Sequence, residues 1–482
     1  MIKVLLCNYF ILLSNIMKIL IIQPRHNYAS DPQKELKGHI YLPTSLLTAA
    51  ARLIRAGIEV ILHDENLRPA QITSNKIGVN LVGAPYIPEV IKLKEKLQLQ
   101  IRDQIELILG GAVISGLTRD QITKLFGKNA INGNNDVELT QALGIKQEDM
   151  LPPEKTSLIP AYEQISDEDM YEYLNREFTF YLSQGCKFAC DFCPAVRTRR
   201  DLTTGKMIKC RESYRNINIA EKDLEYLIIR AKKLGLNKLS MYLSNLDVFQ
   251  TPDKLMLFAR KVNAIKERHP DFKIILRGLS TVDSYLKARG NNRECVEELI
   301  KAGFNTVGFG VDGMTPEVWK KIKKGHNTED KCIEAIRSAR EEFGITPEIL
   351  MVFGHLNADT PETLKLAVEF TKEMVKKYGA VPRPHVAKSF VPGSDGWNKP
   401  ENQEAVEALI NNPEAFQSLD FTALPSPLTH KDPRLIELVT RYFLEICQIP
   451  GNTTQATQPI LPEMSEEEIA KVKKQNEGKY DR

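Results

Sequence analysis

The sequence predicts an α/β protein with a Rossmann-like N-terminal domain, a partial (β/α)6 barrel of the TIM type and a helical C-terminal region. Short apolar runs alternate with amphipathic stretches up to about Gly144, and longer units of the same kind resume at Glu177. From about residue 400 the pattern is helical. With 482 residues, the chain is too long for one ordinary core. The predicted parts are the Rossmann-like domain 17–145, a linker 146–175, the barrel 176–395 and the helical region 396–482.

The N-terminal domain is predicted from four apolar runs. The strand candidates are 18–24, 59–65, 77–84 and 105–112, and the amphipathic stretches between them are 45–57, 88–98 and 118–127. Apolar strands that alternate with amphipathic helices indicate a parallel sheet covered on both faces. Gly110 and Gly111 follow the fourth run, where glycine permits the close approach of a ligand or of another backbone segment. A tight turn between strand and loop explains this glycine pair equally well.

The barrel is predicted from six further units that follow a linker. The linker is rich in proline and acidic residues, which predicts a segment lying across the surface. The barrel strand candidates are 178–185, 238–244, 273–280, 306–312, 348–355 and 384–390, and the helical stretches are 220–235, 252–269, 293–303, 329–344 and 361–379. Thr360 is placed to cap the last helix. A barrel of this kind carries its site at the carboxyl ends of its strands.

Composition excludes several classes of protein. The 65 basic and 62 acidic residues leave a formal charge of +3, which gives no argument for a nucleic-acid partner. Eight cysteines are too few for a disulfide scaffold in a chain of this length. Two of the isolated ones, Cys295 and Cys332, lie in amphipathic patterns and are predicted to be buried.

Residues 1–16 are apolar and loosely similar to a signal peptide. The apolar run is too short to span a bilayer, and no small-residue cleavage site follows it. We expect Met17 to be the true start, or the extension to be a peripheral strand. A cytoplasmic location without a membrane partner is the expectation.

The chemistry is indicated by Cys186, Cys190 and Cys193, a C-x3-C-x2-C array in the loop after the first barrel strand. Three thiolates within eight residues can hold a cubane iron–sulfur cluster. Three ligands for four irons leave one iron open to a further ligand. The alternative is zinc, which prefers four closed ligands; no Cys or His close in sequence completes such a set, although Cys210 could fold back.

This array, with Phe192 before its last cysteine, resembles the signature of the radical S-adenosylmethionine (SAM) superfamily. The resemblance extends over about 175–395. It implies a 4Fe–4S cluster on the three cysteines, whose open iron is chelated by the amino and carboxylate groups of SAM. It also implies reductive cleavage of SAM to a 5′-deoxyadenosyl radical, so that no side chain need act as acid or base to generate the radical.

Further positions match the same family and imply contacts with SAM. The end of the second strand lacks the family's usual glycine-rich segment, so the contact with the methionine amino group would come from Ser244, from Asn245 or from the backbone. Arg277, closing the third strand, could pair with the methionine carboxylate, although a surface arginine is an equal alternative. Asp312, in a turn after the fourth strand, could accept hydrogen bonds from the ribose. Phe353 and Gly354 belong to the fifth-strand segment that lines the adenine, and Pro392-Gly393-Ser394 resembles the closing turn after the sixth strand.

The N-terminal domain resembles the cobalamin-binding domain of one large branch of this superfamily, with Gly110 and Gly111 as its candidate cobalamin contacts. The Asp-x-His-x-x-Gly segment that supplies a lower axial histidine in some cobalamin enzymes is missing, and His63 is not a substitute. The resemblance therefore leaves two alternatives open: the domain binds cobalamin, or it keeps the fold and has lost the corrin.

The predicted function is that of a radical SAM enzyme acting on an unknown small-molecule or peptide substrate, by hydrogen abstraction or by cobalamin-dependent methyl transfer. A reductant such as flavodoxin or ferredoxin is implied. The alternatives are a non-catalytic iron–sulfur or zinc-binding protein, and a radical SAM enzyme that has lost cobalamin.

Overall fold

The N-terminal part of the chain forms a parallel five-stranded sheet. In the computed structural model, the described residues are 17–25, 42–101, 104–195, 199–200, 207–208, 211–388, 390–458 and 464–481. The strands are β1 (Lys18–Gln23), β2 (Glu59–Asp64), β3 (Lys76–Asn80), β4 (Glu106–Gly110) and β5 (Ile131–Asn132), in the order β2-β1-β3-β4-β5. The helices are α1 (Thr44–Arg55), α2 (Tyr86–Gln98), α3 (Ala112–Gly116), α4 (Arg119–Phe126) and α5 (Asp136–Ala142). This is the Rossmann-like arrangement that the sequence predicts.

The second sheet is a half-barrel of six parallel strands. Its strands are β6 (Glu177–Phe180), β11 (Lys238–Leu243), β12 (Lys273–Ser280), β13 (Phe304–Gly310), β14 (Thr346–Phe353) and β15 (Val381–Val386), each paired with the next. Its helices are α8 (Ile217–Lys233), α9 (Pro252–Arg268), α10 (Val282–Asn291), α11 (Arg293–Lys301), α12 (Pro316–Lys321), α13 (Glu329–Glu341) and α14 (Pro361–Tyr378). Thr360 caps α14 in a capping box, as predicted. Two short antiparallel pairs, β7 (Ser183–Gln184) with β10 (Ser213–Tyr214) and β8 (Arg199–Arg200) with β9 (Met207–Ile208), follow β6.

The sixth barrel strand lies earlier than the sequence predicts. The expected strand was 384–390, but β15 runs from Val381 to Val386. Pro382 and Pro384 argue against a strand in its first half because proline cannot donate a hydrogen bond to a neighbouring strand. β15 tolerates both because it lies at the edge of the sheet.

The segment 146–175 is more structured than a surface linker. It contains short 3-10 turns at Gln147–Asp149 and Pro153–Lys155, then α6 (Ile159–Glu163) and α7 (Asp167–Leu174). Leu158, Tyr162 and Met170 are completely buried and belong to the same apolar core as the barrel. This segment therefore packs as part of the protein interior, a difference that arises because its apolar residues have no regular period.

The C-terminal region is helical, as predicted. It contains 3-10 turns at Asp395–Asn398, Pro400–Asn402 and Pro413–Leu419, and the helices α15 (Gln403–Asn411), α16 (Pro427–His430), α17 (Pro433–Cys447) and α18 (Glu466–Gln475). Its first part shares an apolar core with the N-terminal sheet, and α17 packs against α14 and β15 of the barrel. The region thus joins both sheets.

The N-terminal domain contacts the barrel beside the carboxyl ends of both sheets. Gly116 in α3 lies against the turn after β15: a Cβ atom at Gly116 would be 2.2 Å from the Gly393 backbone nitrogen and 2.4 Å from the Pro392 carbonyl carbon. The same helix lies beside β8 in the loop that follows the first barrel strand. The carboxyl ends of the two sheets therefore lie towards one another.

Replacing Gly116 by alanine is expected to destabilise this contact by about 1–3 kcal/mol, because the new methyl group meets backbone atoms that cannot rotate away. The measurement is denaturant unfolding followed by circular dichroism. Gly290 in α10 is the matched control, since a Cβ atom there meets nothing within 4 Å. G290A should be neutral or stabilising by up to about 1 kcal/mol. Equal stability of G116A and G290A would contradict the packing described here.

No helix among the described residues is long and apolar enough to cross a membrane. Residues 1–16, expected to precede the true start or to form a peripheral strand, lie outside the described residues.

Candidate functional site

The three clustered cysteines lie in the loop after the first barrel strand, as the sequence predicts. Cys186 lies two residues after the end of β7, and Cys190 and Cys193 lie further along the same loop. None of the three forms a disulfide bond; Cys186 is buried, and the other two are half-buried. Because parallel strands share a carboxyl edge, this loop lies at the end of the barrel where such folds carry their site.

Aromatic and backbone contacts hold the cysteine loop in place. The Phe188 ring stacks on His326 with ring centroids 4.1 Å apart, and Phe192 packs against His355 at 5.2 Å. The Cys193 backbone N–H donates to the Cys190 carbonyl at 3.2 Å, and the Phe188 N–H donates to the Cys186 sulfur at 3.4 Å. The loop that carries the three sulfurs is therefore held by ring contacts with two other loops and by hydrogen bonds within itself.

Burial makes the bare thiols weak acids. Desolvation raises the pKa of the Cys186 thiol to about 12 and that of the Cys190 thiol to about 11. These raised pKa values favour the protonated thiol. A soft metal centre would favour the deprotonated thiolate instead, because the thiolate is the form that it binds. Among the described residues, no group of three or more His, Cys, Asp or Glu side chains could hold a metal ion. In a cubane cluster each cysteine binds a different iron, so three such sulfurs need not converge on one point.

Ser244 and Asn245 directly follow β11 and lie at the carboxyl edge of the barrel sheet, as the cysteine loop does. The Ser244 hydroxyl is buried and has no hydrogen-bond partner among the described residues. Asn245 is completely buried and donates from Nδ2 to the Ser183 hydroxyl at 2.7 Å. Asp247 accepts hydrogen bonds from Ser280, Thr281 and Ser284, which ties the ends of β11 and β12 together. The Asn245 Oδ1 atom is likewise buried without a hydrogen-bond partner among the described residues, so both Ser244 and Asn245 have a polar atom that a ligand would satisfy.

Arg277 does not close its strand, so this expectation is corrected. β12 continues to Ser280, and Arg277 lies inside it. Its guanidinium donates two hydrogen bonds of 2.7 Å to Glu177 and one of 3.2 Å to Glu348, and it stacks on the Tyr242 ring. Arg383 donates to the other Glu348 oxygen at 2.7 Å. A role for Arg277 with the methionine carboxylate would have to break these ion pairs.

Asp312 is in the expected turn after β13, but one of its carboxylate oxygens already accepts a hydrogen bond from a lysine. Asp312 has φ +48° and is buried. Its Oδ2 accepts a hydrogen bond from Lys324 Nζ at 2.5 Å, and its Oδ1 accepts one from the Val352 N–H at 3.0 Å. The carboxylate is therefore oriented by a buried cation and by the end of β14. Its predicted contact with a ribose stays a prediction.

Phe353 and Gly354 form the end of β14 and the turn after it. Phe353 is completely buried and packs against Phe443 of α17. The Gly354 N–H donates to Asp359 at 2.8 Å, and its carbonyl contacts the His430 ring nitrogen at 2.9 Å. Gly354 has φ +80°, a conformation that favours glycine. The segment is thus fixed from the C-terminal region, and its role at an adenine stays a prediction.

In the N-terminal domain, backbone packing explains Gly111. Its φ is +98°, and a Cβ atom there would be 2.2 Å from the Leu81 carbonyl oxygen. Asn134 accepts a hydrogen bond from the Gly111 N–H at 3.1 Å and donates one to the Gly111 carbonyl at 2.7 Å. Gly110 has more room, with the nearest atoms at 3.7 and 3.8 Å. The glycine pair is therefore required for the turn, whether or not a ligand also approaches it.

Two buried polar atoms at the carboxyl edge of the N-terminal sheet have no hydrogen-bond partner among the described residues. Gln23 ends β1 and Asn80 ends β3, and both side chains are buried. Gln23 Oε1 and Asn80 Nδ2 have no hydrogen-bond partner among the described residues. Buried polar atoms are normally satisfied, so these atoms are candidates for contact with a ligand at this edge.

Sequence reasoning missed Lys324, a buried lysine in the loop between α12 and α13. It donates to the Gly310 carbonyl at 2.7 Å as well as to Asp312. The only sequence signal is a polar Lys-Gly-His-Asn run between two helices, which predicts a loop but not burial. The burial of Cys295 and Cys332, in contrast, is confirmed.

Comparison with known proteins gives a family match within the barrel. Residues 180–367 match the family model described as the radical SAM superfamily. No curated protein matches the chain.

Two solved structures share the fold. The radical S-adenosylmethionine methyltransferase TsrM from Kitasatospora setae, solved with cobalamin and a [4Fe-4S] cluster bound, has a TM-score of 0.57 and 14% identity, covering 82% of this chain and 75% of that chain. The cobalamin-dependent S-adenosylmethionine radical enzyme OxsB, solved with aqua-cobalamin and S-adenosylmethionine bound, has a TM-score of 0.54 and 14% identity, covering 84% of this chain and 56% of that chain. At these identities the two matches confirm the fold class, including the Rossmann-like sheet before the half-barrel.

Proposed function

Residues 180–367 form a radical SAM domain, and on that premise we propose that this enzyme binds a 4Fe–4S cluster through Cys186, Cys190 and Cys193 and cleaves SAM reductively. The observation that carries the proposal is three cysteines, none of them in a disulfide bond, on one loop at the carboxyl end of the half-barrel. When bound and given one electron, the cluster and SAM together supply a 5′-deoxyadenosyl radical and methionine.

The donor set fits a cubane cluster. Thiolate is the ligand that iron–sulfur clusters require, and three thiolates leave one iron for SAM. The unsatisfied Ser244 hydroxyl lies at the end of the neighbouring strand β11, where the methionine amino group is expected. Ser244 therefore supports a SAM site beside the cysteine loop. Phe192, packed against His355, would shield this site from water.

A second cofactor, cobalamin, is favoured by a separate observation. The carboxyl edge of the N-terminal sheet lies towards that of the barrel through the Gly116–Gly393 contact. The unused polar atoms of Gln23 and Asn80 belong to this edge. We propose that a corrin binds between the two edges, where the enzyme would use it for methyl transfer to a small-molecule or peptide substrate. A reductant of the flavodoxin or ferredoxin class would supply the electron.

The experiment is product analysis of the anaerobically reconstituted full-length protein. SAM and a low-potential reductant are added, with and without cobalamin, and the products are identified by mass spectrometry. We expect 5′-deoxyadenosine and methionine. A protein with an intact cluster that releases neither would contradict the proposal.

Cobalamin is judged separately in the same experiment. Tightly bound cobalt, together with S-adenosylhomocysteine formed only when cobalamin is present, would support methyl transfer. Cleavage of SAM without any bound cobalt would reject the corrin and leave a radical SAM enzyme that has lost it.

A further inference from the structure

The loop of residues 322–327, which we term the lysine loop, contacts the cysteine loop at both of its ends. The Ile322 carbonyl accepts a hydrogen bond from the Asp191 N–H at 3.3 Å, and the His326 ring stacks on Phe188 at 4.1 Å. Asp191 and Phe188 both lie between the first and last of the three cysteines. The lysine loop is therefore held directly against the segment that carries the sulfurs.

Lys324 lies between these two contacts and is turned inward. Its side chain is only 3% exposed, and Nζ is 2.5 Å from Asp312 Oδ2 and 2.7 Å from the Gly310 carbonyl oxygen. A Cβ atom at residue 310 would be 2.7 Å from Nζ, so a larger residue there would displace the ammonium group from this position. Asp312 is itself held by the Val352 N–H. The position of the cation is thus fixed by three neighbouring segments.

This buried ammonium group is paired with a carboxylate, and its loop packs against the loop that carries the three cysteines. Burial would lower the pKa of Lys324, but Asp312 and the Cys190 sulfur outweigh it and leave the pKa above its usual value. Asp191, the residue after Cys190, donates its backbone N–H to the Ile322 carbonyl, two residues before Lys324, so the loop that carries the cation lies beside this cysteine. Away from water a charge is screened weakly, so a fixed cation here interacts strongly with negative charge on Cys190.

We propose that Lys324 is a positioning residue that raises the midpoint potential of the cluster on Cys186, Cys190 and Cys193, an inference that rests on the proposed function. Reduction adds one electron, taken from a low-potential donor that is oxidised by one electron, and makes the cluster more negative by one charge. A fixed positive charge beside Cys190 stabilises the reduced state more than the oxidised state. Net charge near the cluster is one of the properties that set such potentials.

The test is a redox titration of the reconstituted full chain, followed by electron paramagnetic resonance in the absence of SAM. Iron and sulfide contents are matched first. In K324M the ratio of reduced to oxidised cluster at a fixed potential should fall about tenfold, a shift of ~59 mV to lower potential for a one-electron couple. This readout does not depend on turnover.

K323M is the matched control because it removes the same charge one residue earlier. Lys323 is 57% exposed and pairs with Asp395, so water screens its charge. Its potential should stay near that of the wild type. A second variant, D312N, keeps Lys324 but removes the opposing carboxylate, and should shift the potential in the opposite direction.

The outcomes separate this inference from the proposed function. A protein that binds no iron–sulfur cluster rejects the proposed function itself. A cluster that forms normally, with K324M at the wild-type potential or shifted no more than K323M, rejects only the role of Lys324. If K324M cannot hold the cluster, D312N decides: an unchanged or lower potential overturns the inference.

Discussion

Replacing any one of Cys186, Cys190 and Cys193 by alanine is expected to abolish the iron–sulfur absorbance of the anaerobically reconstituted protein and to reduce 5′-deoxyadenosine formation to background. The reason is stoichiometric, because each sulfur is expected to bind a different iron and no other cysteine lies in the loop between them. The measurements are the absorbance spectrum, the iron content and mass analysis of SAM products.

Cys295 provides the matched control for these three substitutions. It is completely buried in α11, and its thiol contacts the Pro252 carbonyl at 3.2 Å. C295A should therefore keep the cluster and the release of 5′-deoxyadenosine. An alanine variant of the array that retains a full cluster, or a C295A protein that loses it, would show that the ligands are assigned wrongly.

Replacing Arg215 by methionine is expected to have the largest effect on stability. The free energy of unfolding should fall by about 3–5 kcal/mol, because the Asp223 carboxylate stays buried without its cation. Both side chains of this ion pair are completely buried. Arg215 also donates to the Thr156 carbonyl at 2.9 Å. Asp223 accepts from the Ser157 hydroxyl at 2.6 Å and the Leu158 N–H at 2.8 Å, so the pair attaches the segment 146–175 to the barrel.

Denaturant unfolding of three variants tests this second prediction. The double variant R215M/D223L should lose less stability than R215M, since no buried charge remains unpaired. The control is R260M, which breaks an ion pair with Glu294 whose side chains are 47% and 62% exposed. That pair should contribute at most about 1 kcal/mol. A loss for R215M no greater than for R260M would contradict the structure at this pair.

Helices and strands with a regular pattern of apolar residues could be predicted from the sequence. The contacts that they make with residues far away in the chain could not. β12 has the predicted bounds 273–280, because it contains no proline and its buried and less buried residues alternate from one end to the other. β15 was predicted three residues late, since its position at the edge of the sheet, which permits its prolines, is a property of the whole fold. The cysteine loop could be found because all of its ligands lie in one short stretch.

Other site residues depend on partners far away in the chain. Arg277 pairs with Glu177 and Glu348, which are 100 and 71 residues away, and this pairing follows only from the order of the barrel strands. The burial of Lys324 could not be predicted from its polar loop, because it depends on Gly310, the last residue of β13, and on Asp312 just after that strand. The predicted contacts of Ser244, Asn245, Asp312, Phe353 and Gly354 with SAM remain predictions.

The most direct test of the central claim is the electron paramagnetic resonance spectrum of the chemically reduced, oxygen-free protein before and after SAM is added. Our account requires the signal of a reduced cubane that changes when SAM occupies the open iron. A preparation with all three thiols intact that contains tetrahedral zinc and no iron–sulfur absorbance would contradict it.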